Sequence, residues 1–131
     1  MKTISLIAWC LFLSIPCFSQ STNSDQNDIF VFVEQMPEFP GGDDALNRFL
    51  TSNIHYPKSA LKNNISGTVY VNFIISADGT IQNVKVTKGV HKTLDEEAIR
   101  VVKKMPKWKP GKQAGQNVSV YFDVPIHFEI N

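Results

Sequence analysis

The chain has 131 residues, a formal net charge of +1, 43% hydrophobic residues and 19% charged ones. That length fits one domain, and the apolar fraction can fill its core. The balanced charge and apolar content argue against a disordered chain. They also argue against a protein that gathers a polyanion such as nucleic acid.

Residues 1–19 read as a secretory signal: Lys2, then an apolar run from Ile4 to Phe18, then the small Ser19. An uncleaved inner-membrane anchor is the alternative, although the run is short for a span. A lipoprotein signal centred on Cys17 is opposed by Pro16, which stands where a small residue is wanted. Cleavage after Ser19 would leave Gln20 first and take Lys and Arg from 13 to 12, equal to the 12 acidic residues. It would also remove Cys10 and Cys17. The mature chain then offers no disulfide, thiolate metal site or cysteine nucleophile.

Residues 20–32 form a polar tether, Ser21 to Asp28, running into the apolar run Ile29 to Val33, which is a short strand or an extended segment packed on the body. Residues 33–131 are the folded domain. Met36-Pro-Glu-Phe-Pro-Gly-Gly42 punctuates its start. No Gly-Lys-Ser/Thr motif or spaced glycine set follows Gly41-Gly42, so a phosphate cradle fails and a turn into a helix is expected. That helix runs from Asp43 to about Ser52, with Ala45, Leu46, Phe49 and Leu50 on one face. A second short helix begins at Tyr56-Pro57, where proline is preorganised for a first turn, and ends at Asn63-Asn64.

Gly67 to Ile75 alternates Val69, Val71, Phe73 and Ile75 inward, with Tyr70 and Ile74 suggesting partial cover on the other face. Asp78-Gly79 marks the turn of a hairpin that returns through Ile81 to Thr87. Thr93-Leu-Asp-Glu96 reads as a capping box opening a helix. Its apolar stripe is Leu94, Ala98, Val101, Val102 and Met105, and Pro106 stops it. Asp95, Glu96 and Glu97 read as first-turn charges rather than an acid–base set. Trp108, bracketed by Lys107 and Lys109, is a lid on the core or a stacking surface. His55, His91 and His127 lie in separate elements without ligand spacing, so no metal site is expected. No cofactor site and no catalytic constellation emerge.

The last strand carries the functional expectation. From Val118 to Ile130 every even-numbered residue is apolar, and the odd-numbered ones are Ser119, Tyr121, Asp123, Pro125, His127 and Glu129. Alternation of that length is a half-buried strand of an antiparallel sheet. Pro125 has no N–H for a ladder, so its ring must face an open edge. Ser119, Tyr121, Asp123 and His127 then present backbone groups to the same edge. Such an edge is either blunted by its proline and charges or used for strand addition by a partner. The elements assemble into an α+β fold: a three-stranded antiparallel sheet with two helices on one face. Its strand order is hairpin strand two, hairpin strand one, last strand (2-1-3), which leaves Val118–Ile130 outermost.

Tyr56-Pro57-x-x-Ala60, Gly67-Thr-Val-x-Val71, Asp78-Gly79, Leu94-Asp95-x-x-Ala98, Trp108-x-Pro110 and the alternating last strand together resemble the C-terminal domain of TonB-type energy transducers. Met36 to Gly42 with Asn53-Ile-His-Tyr-Pro57 resembles the version typical of Bacteroidetes. The resemblance spans about Val33 to Ile130. It implies the TonB C-terminal, TolA-like form of that fold, in the periplasm. It implies as partner the N-terminal plug box of a TonB-dependent outer-membrane transporter, added as a strand beside the last one. Carried over by position, the docking edge is Val118, Ser119, Val120, Tyr121, Phe122, Asp123 and Val124, with Trp108 and Pro110 nearby. A family transducer also has an uncleaved anchor to inner-membrane motor proteins and a long spacer. Here about a dozen polar residues, roughly 40 Å when extended, precede the domain. Two functions follow: a component of energised transport, or a free module that binds or self-associates as a homodimer through the same edge without transducing force.

Overall fold

The computed structural model describes residues 28–130. The signal reading for residues 1–19 and most of the tether lie outside the described residues. The elements are β1 (Ile29–Phe30), α1 (Asp43–Asn53), α2 (Lys58–Lys62), β2 (Gly67–Ile75), β3 (Ile81–Lys88), α3 (Lys92–Lys103), β4 (Gly111–Gln113) and β5 (Gln116–Phe128). The sheet order is β1-β5-β2-β3, and β4 also pairs with β5.

β2 and β5 form the spine. Their antiparallel register is unbroken from Gly67 opposite Phe128 to Ile75 opposite Val120. One face of this pair supplies the core. Val69, Val71, Phe73 and Ile75 of β2 and Val124, Ile126 and Phe128 of β5 pack with Leu46 and Leu50 of α1, Ala60 of α2, and Leu94, Ala98, Val101 and Val102 of α3. Each large side chain buried there stabilises the fold by about 1.5–3 kcal/mol. The expected inward parity of both strands and the stripe of α3 are therefore what the fold uses. Ile130 is the departure: pairing ends at Phe128, and Ile130 remains 39% exposed.

The β2–β3 turn explains its own sequence. Asp78 accepts hydrogen bonds from the Ser76 hydroxyl, the Thr80 hydroxyl (2.7 Å) and the Thr80 N–H (3.0 Å). The Ser76 hydroxyl first, and then Thr80, hold its carboxyl far below the usual carboxylate range. Gly79 adopts φ +90°, and a Cβ there would lie 2.1 Å from the Trp108 carbonyl oxygen. The Gly79 carbonyl in turn accepts the Trp108 N–H at 2.9 Å. Only glycine allows that approach, which ties the hairpin tip to the chain after α3.

The structure corrects three expectations. The sheet has five strands rather than three. The three expected strands keep their expected order, but β5 outruns β2 at its start. The short β4 satisfies the inward backbone groups left there, and β1 pairs on the opposite side of β5. The helices number three, since α2 is a separate short helix that packs against α3 and puts Ala60 into the common core. Thr93 is not the cap of α3. His91 is the N-cap, its Nδ1 accepting the Thr93 N–H at 3.3 Å, and Asp95 reaches back to the Val90 N–H at 3.0 Å. An imidazole acceptor here does what the sequence pattern assigned to a hydroxyl.

Glu97 is more than a first-turn charge. It accepts the His55 N–H at 2.9 Å and pairs with Arg100, whose guanidinium also donates to the Asn53 carbonyl at 2.8 Å. This clamps the end of α1 to α3. Burial pushes the Glu97 carboxyl up, but the Arg100 hydrogen bond and the His55 N–H outweigh it, so the net shift is downward. A carboxyl held low stabilises the fold above its ordinary value of 4.5 and stops doing so as pH falls through and below that value. Glu97→Gln is expected to cost about 1 kcal/mol at pH 7, a charged hydrogen-bond value reduced for partial exposure. Urea unfolding at pH 7 and pH 3 checks this: the gap between variant and wild type should shrink at pH 3. A gap that is constant with pH would exclude the ionised clamp.

Candidate functional site: the outer edge of β5

The direction of each backbone group along β5 follows from two constraints. Pro125 lies opposite Tyr70 within the unbroken β2 ladder. Having no N–H, it fits only where its nitrogen faces away from β2. Odd-numbered residues of β5 thus turn their N–H and C=O to the far edge. At the other end, β4 and β5 form a hairpin whose two turn residues, Ala114 (φ +52°) and Gly115 (φ +77°), both have positive φ. Such a turn closes on a pair that exchanges both hydrogen bonds, here Gln113 with Gln116. Even-numbered residues face β4, as they face β2. Alternation therefore puts β4 and β2 on one side of β5, and β1 on the other.

The expected docking stretch divides accordingly. Val118 lies opposite Gly111 of β4, and its backbone is turned inward. Ser119 and Val120 lie opposite Ile29 and Phe30 of β1, which runs parallel to β5. Tyr121, Phe122, Asp123 and Val124 pair with β2 alone among the described residues, as do Pro125 to Phe128. β5 is thus outermost only from Tyr121 onward. The expectation of an edge open from Val118 is corrected, because β1 reaches it first.

Side chains divide by parity. Tyr121, Asp123 and His127 are exposed on the outer face of the sheet. Asp123 accepts from Asn72 Nδ2 at 2.8 Å, and His127 Nδ1 bonds the Thr68 hydroxyl at 2.8 Å, so both are held upright by cross-strand partners on β2. Phe122 is half-buried on the core face. Trp108 is not an edge residue. It is 3% exposed, with ring centroids 4.9 Å from Phe122, 5.5 Å from Phe39 and 5.8 Å from Phe73. Its role is to support β5 from below. Pro110 is half-buried between the Glu38–Lys109 bridge and β4.

A groove flanks the open part of the edge on each face. On the helix side it is lined by Leu50, Ile54, Tyr56, Ile126 and Phe128. On the outer face it runs across β2, from Val31, Met36 and Tyr121 to Tyr70 and on to Lys85 and Thr87 of β3. The second groove exists because residues 31–36 leave β1, cross to the far side and pair with β4 at Gln35–Lys112. This course was not read from the sequence, although the five-residue apolar run Ile29–Val33 was its signal. Among the described residues no group of His, Cys, Asp and Glu could hold a metal ion.

A small α+β domain whose distinguishing feature is a half-open strand edge, flanked by shallow grooves, has the form of a protein-interaction module. The sequence model of the family described as Gram-negative bacterial TonB protein C-terminal matches residues 52–130, and the chain belongs to that family. The family consists of non-catalytic interaction domains of the cell envelope. Two solution structures of the Helicobacter pylori TonB C-terminal domain are similar to this chain. The one spanning that protein's residues 194–285 is 26% identical, with a TM-score of 0.49, and covers 66% of this chain and 90% of its own. The one spanning residues 179–285 is 23% identical, with a TM-score of 0.46, covering 66% and 79%. No curated protein sequence matches the chain. No helix among the described residues is long and apolar enough to cross a membrane.

Proposed function

We propose that the domain works in the periplasm and docks the plug box of a TonB-dependent outer-membrane transporter by strand addition to β5. The observation that carries this is the outer edge of β5 beyond β1, from the Tyr121 carbonyl to Phe128, whose proline already faces outward. The residues offered are Asp123, Pro125, His127 and the Tyr121 carbonyl through their backbones, with Ser119 and the Tyr121 N–H joining where β1 gives way, while the Val120 backbone stays turned to β2. Val118, Phe122 and Val124 shape the strand, and Trp108 and Pro110 hold it in place. About five backbone hydrogen bonds at roughly 1 kcal/mol net each, less ordering costs, give weak and reversible binding. That affinity suits sampling of many transporters.

Titration of the protein with a synthetic plug-box peptide, followed by amide shifts, tests the reading. Shifts should concentrate on residues 119–127, and a map confined to α1–α3 would exclude strand addition. Energised transport further requires coupling to inner-membrane motor proteins through residues 1–19. The short tether favours a second reading, a free module that occupies boxes or pairs with itself without pulling. Mass spectrometry of the protein from envelope fractions separates the two. A product beginning at Gln20 supports the free module, and an intact N-terminus supports transduction.

A further inference from the structure

The edge that the proposed function needs is partly taken by the chain itself. β1 lies on it in parallel register, Ile29 opposite Ser119 and Phe30 opposite Val120. By the parity set out above, these are the positions where β5 turns backbone groups of Ser119 and Tyr121 outward. β1 is the one element on that side of β5 among the described residues.

Its sequence suits it to more than two residues of pairing. Ile29 to Val33 is an unbroken run of β-branched and aromatic residues, the composition favoured in strands. Yet the chain bends at Val31 and Phe32, and these side chains are 73% and 82% exposed. Two large apolar side chains are thus left in water immediately beside an unpaired edge. Continued one residue for one, the same register would set Val31 opposite Tyr121 and Phe32 opposite Phe122. The bend is enforced further along, where Gln35 and Glu38 are bonded to Lys112 and Lys109 at 2.8–3.0 Å and Val33 is buried. The segment is anchored at its far end and only lightly held at β5.

We infer that Ile29–Val33 is a tethered competitor for the β5 edge: a segment of the chain that occupies Ser119 and Val120 until a visiting strand displaces it. This rests on the docking reading and adds a condition to it. A partner that pairs only from Asp123 onward binds without opening the clasp, whereas one that needs Ser119 or the Tyr121 N–H must first remove β1. The clasp involves two residue pairs and lies at a surface. If it closes the edge in about nine molecules of ten, it weakens apparent affinity about tenfold. The partner it selects for is an extended segment at least as apolar and β-prone as Ile29–Val33.

The test uses the full chain and its Phe30→Pro variant, which removes an N–H from β1, with Phe30→Gly as a second variant that keeps the N–H but weakens the strand. The probe is a synthetic peptide of residues 28–34. Two readouts are followed: hydrogen exchange at the Ser119 amide, and amide shifts of β5 during titration. Exchange at Ser119 should rise about tenfold in both variants while β2 and β3 amides keep their protection. The peptide should bind the variants about tenfold more tightly than wild type, shifting residues 119–127. Equal peptide affinity in all three proteins, with shifts on β5, overturns the competitor and leaves docking intact. Unchanged Ser119 exchange in the variants overturns it as well. Faster exchange with no binding to the variants overturns both, because an opened edge would then have refused a strand.

Discussion

Trp108→Ala is expected to lower the unfolding free energy by about 3–5 kcal/mol, the range for truncating a buried aromatic in a close-packed core. Trp108 meets Phe39, Phe73 and Phe122 at centroid separations of 4.9–5.8 Å in edge-on or tilted arrangements, the geometry that aromatic pairs prefer. It joins three parts of the chain: the segment before α1, the central strand and β5. Its backbone N–H is bonded to the Gly79 carbonyl, so the side chain is set at a fixed height above the sheet. Its indole Nε1 is buried without a partner among the described residues. The loss on truncation is therefore one of packing and not of a hydrogen bond, and Trp108→Phe should recover part of it. Urea unfolding followed by circular dichroism should show a lower midpoint with an unchanged slope. A cost below about 1 kcal/mol would mean that the aromatic cluster is not what holds β5 on the core.

What was legible in the sequence, and what was not, follows from where the signals originate. β2 and β5 announce themselves because one face of each is buried, and burial imposes a period of two on nine and thirteen residues. α3 announces itself because its stripe faces the same core. The hairpin turn is written in Asp78-Gly79, whose side chain and φ value the geometry requires. β1 carried a weaker signal, a β-branched and aromatic run that marks a short strand or packed extended segment but not its partner. A run with all positions apolar has no period, and its pairing depends on where residues 35–38 are anchored, which is a long-range fact. The cap of α3 was missed for a different reason. The Thr93–Glu96 spacing satisfies the capping-box pattern, but the chain enters the helix two residues earlier and offers His91 instead. Glu97 looked like its neighbours Asp95 and Glu96, and only the arrival of His55 and Asn53 from α1 distinguishes it. At the edge itself, proline chemistry gave the side of β5 that faces outward. It could not reveal that the chain's own N-terminal segment would come round to use two positions of it.

Tyr121→Pro should abolish strand docking while leaving the fold in place, and it separates an edge that is used from one that is merely exposed. The odd parity of Tyr121 turns its N–H away from β2, as Pro125 shows for its own position four residues on. Proline there removes no β2 ladder bond and only the one donor that meets the Phe30 carbonyl of β1, and its preferred φ is tolerated at a sheet edge. The unfolding midpoint should move by less than the equivalent of about 1 kcal/mol. For a visiting strand the change is severe. One donor worth about 1 kcal/mol is lost, and the ring projects into the space the strand must enter, at the first position beyond β1. Together these predict a loss of at least about tenfold, which takes an already weak complex out of measurable range. Tyr121→Ala is the control: it removes the half-exposed ring but keeps the N–H, so it should bind within a few-fold of wild type. Calorimetric titration of both variants with the plug-box peptide would decide. If Tyr121→Pro bound as wild type does, the partner would not be adding to β5, and the two flanking grooves would have to account for recognition without its backbone.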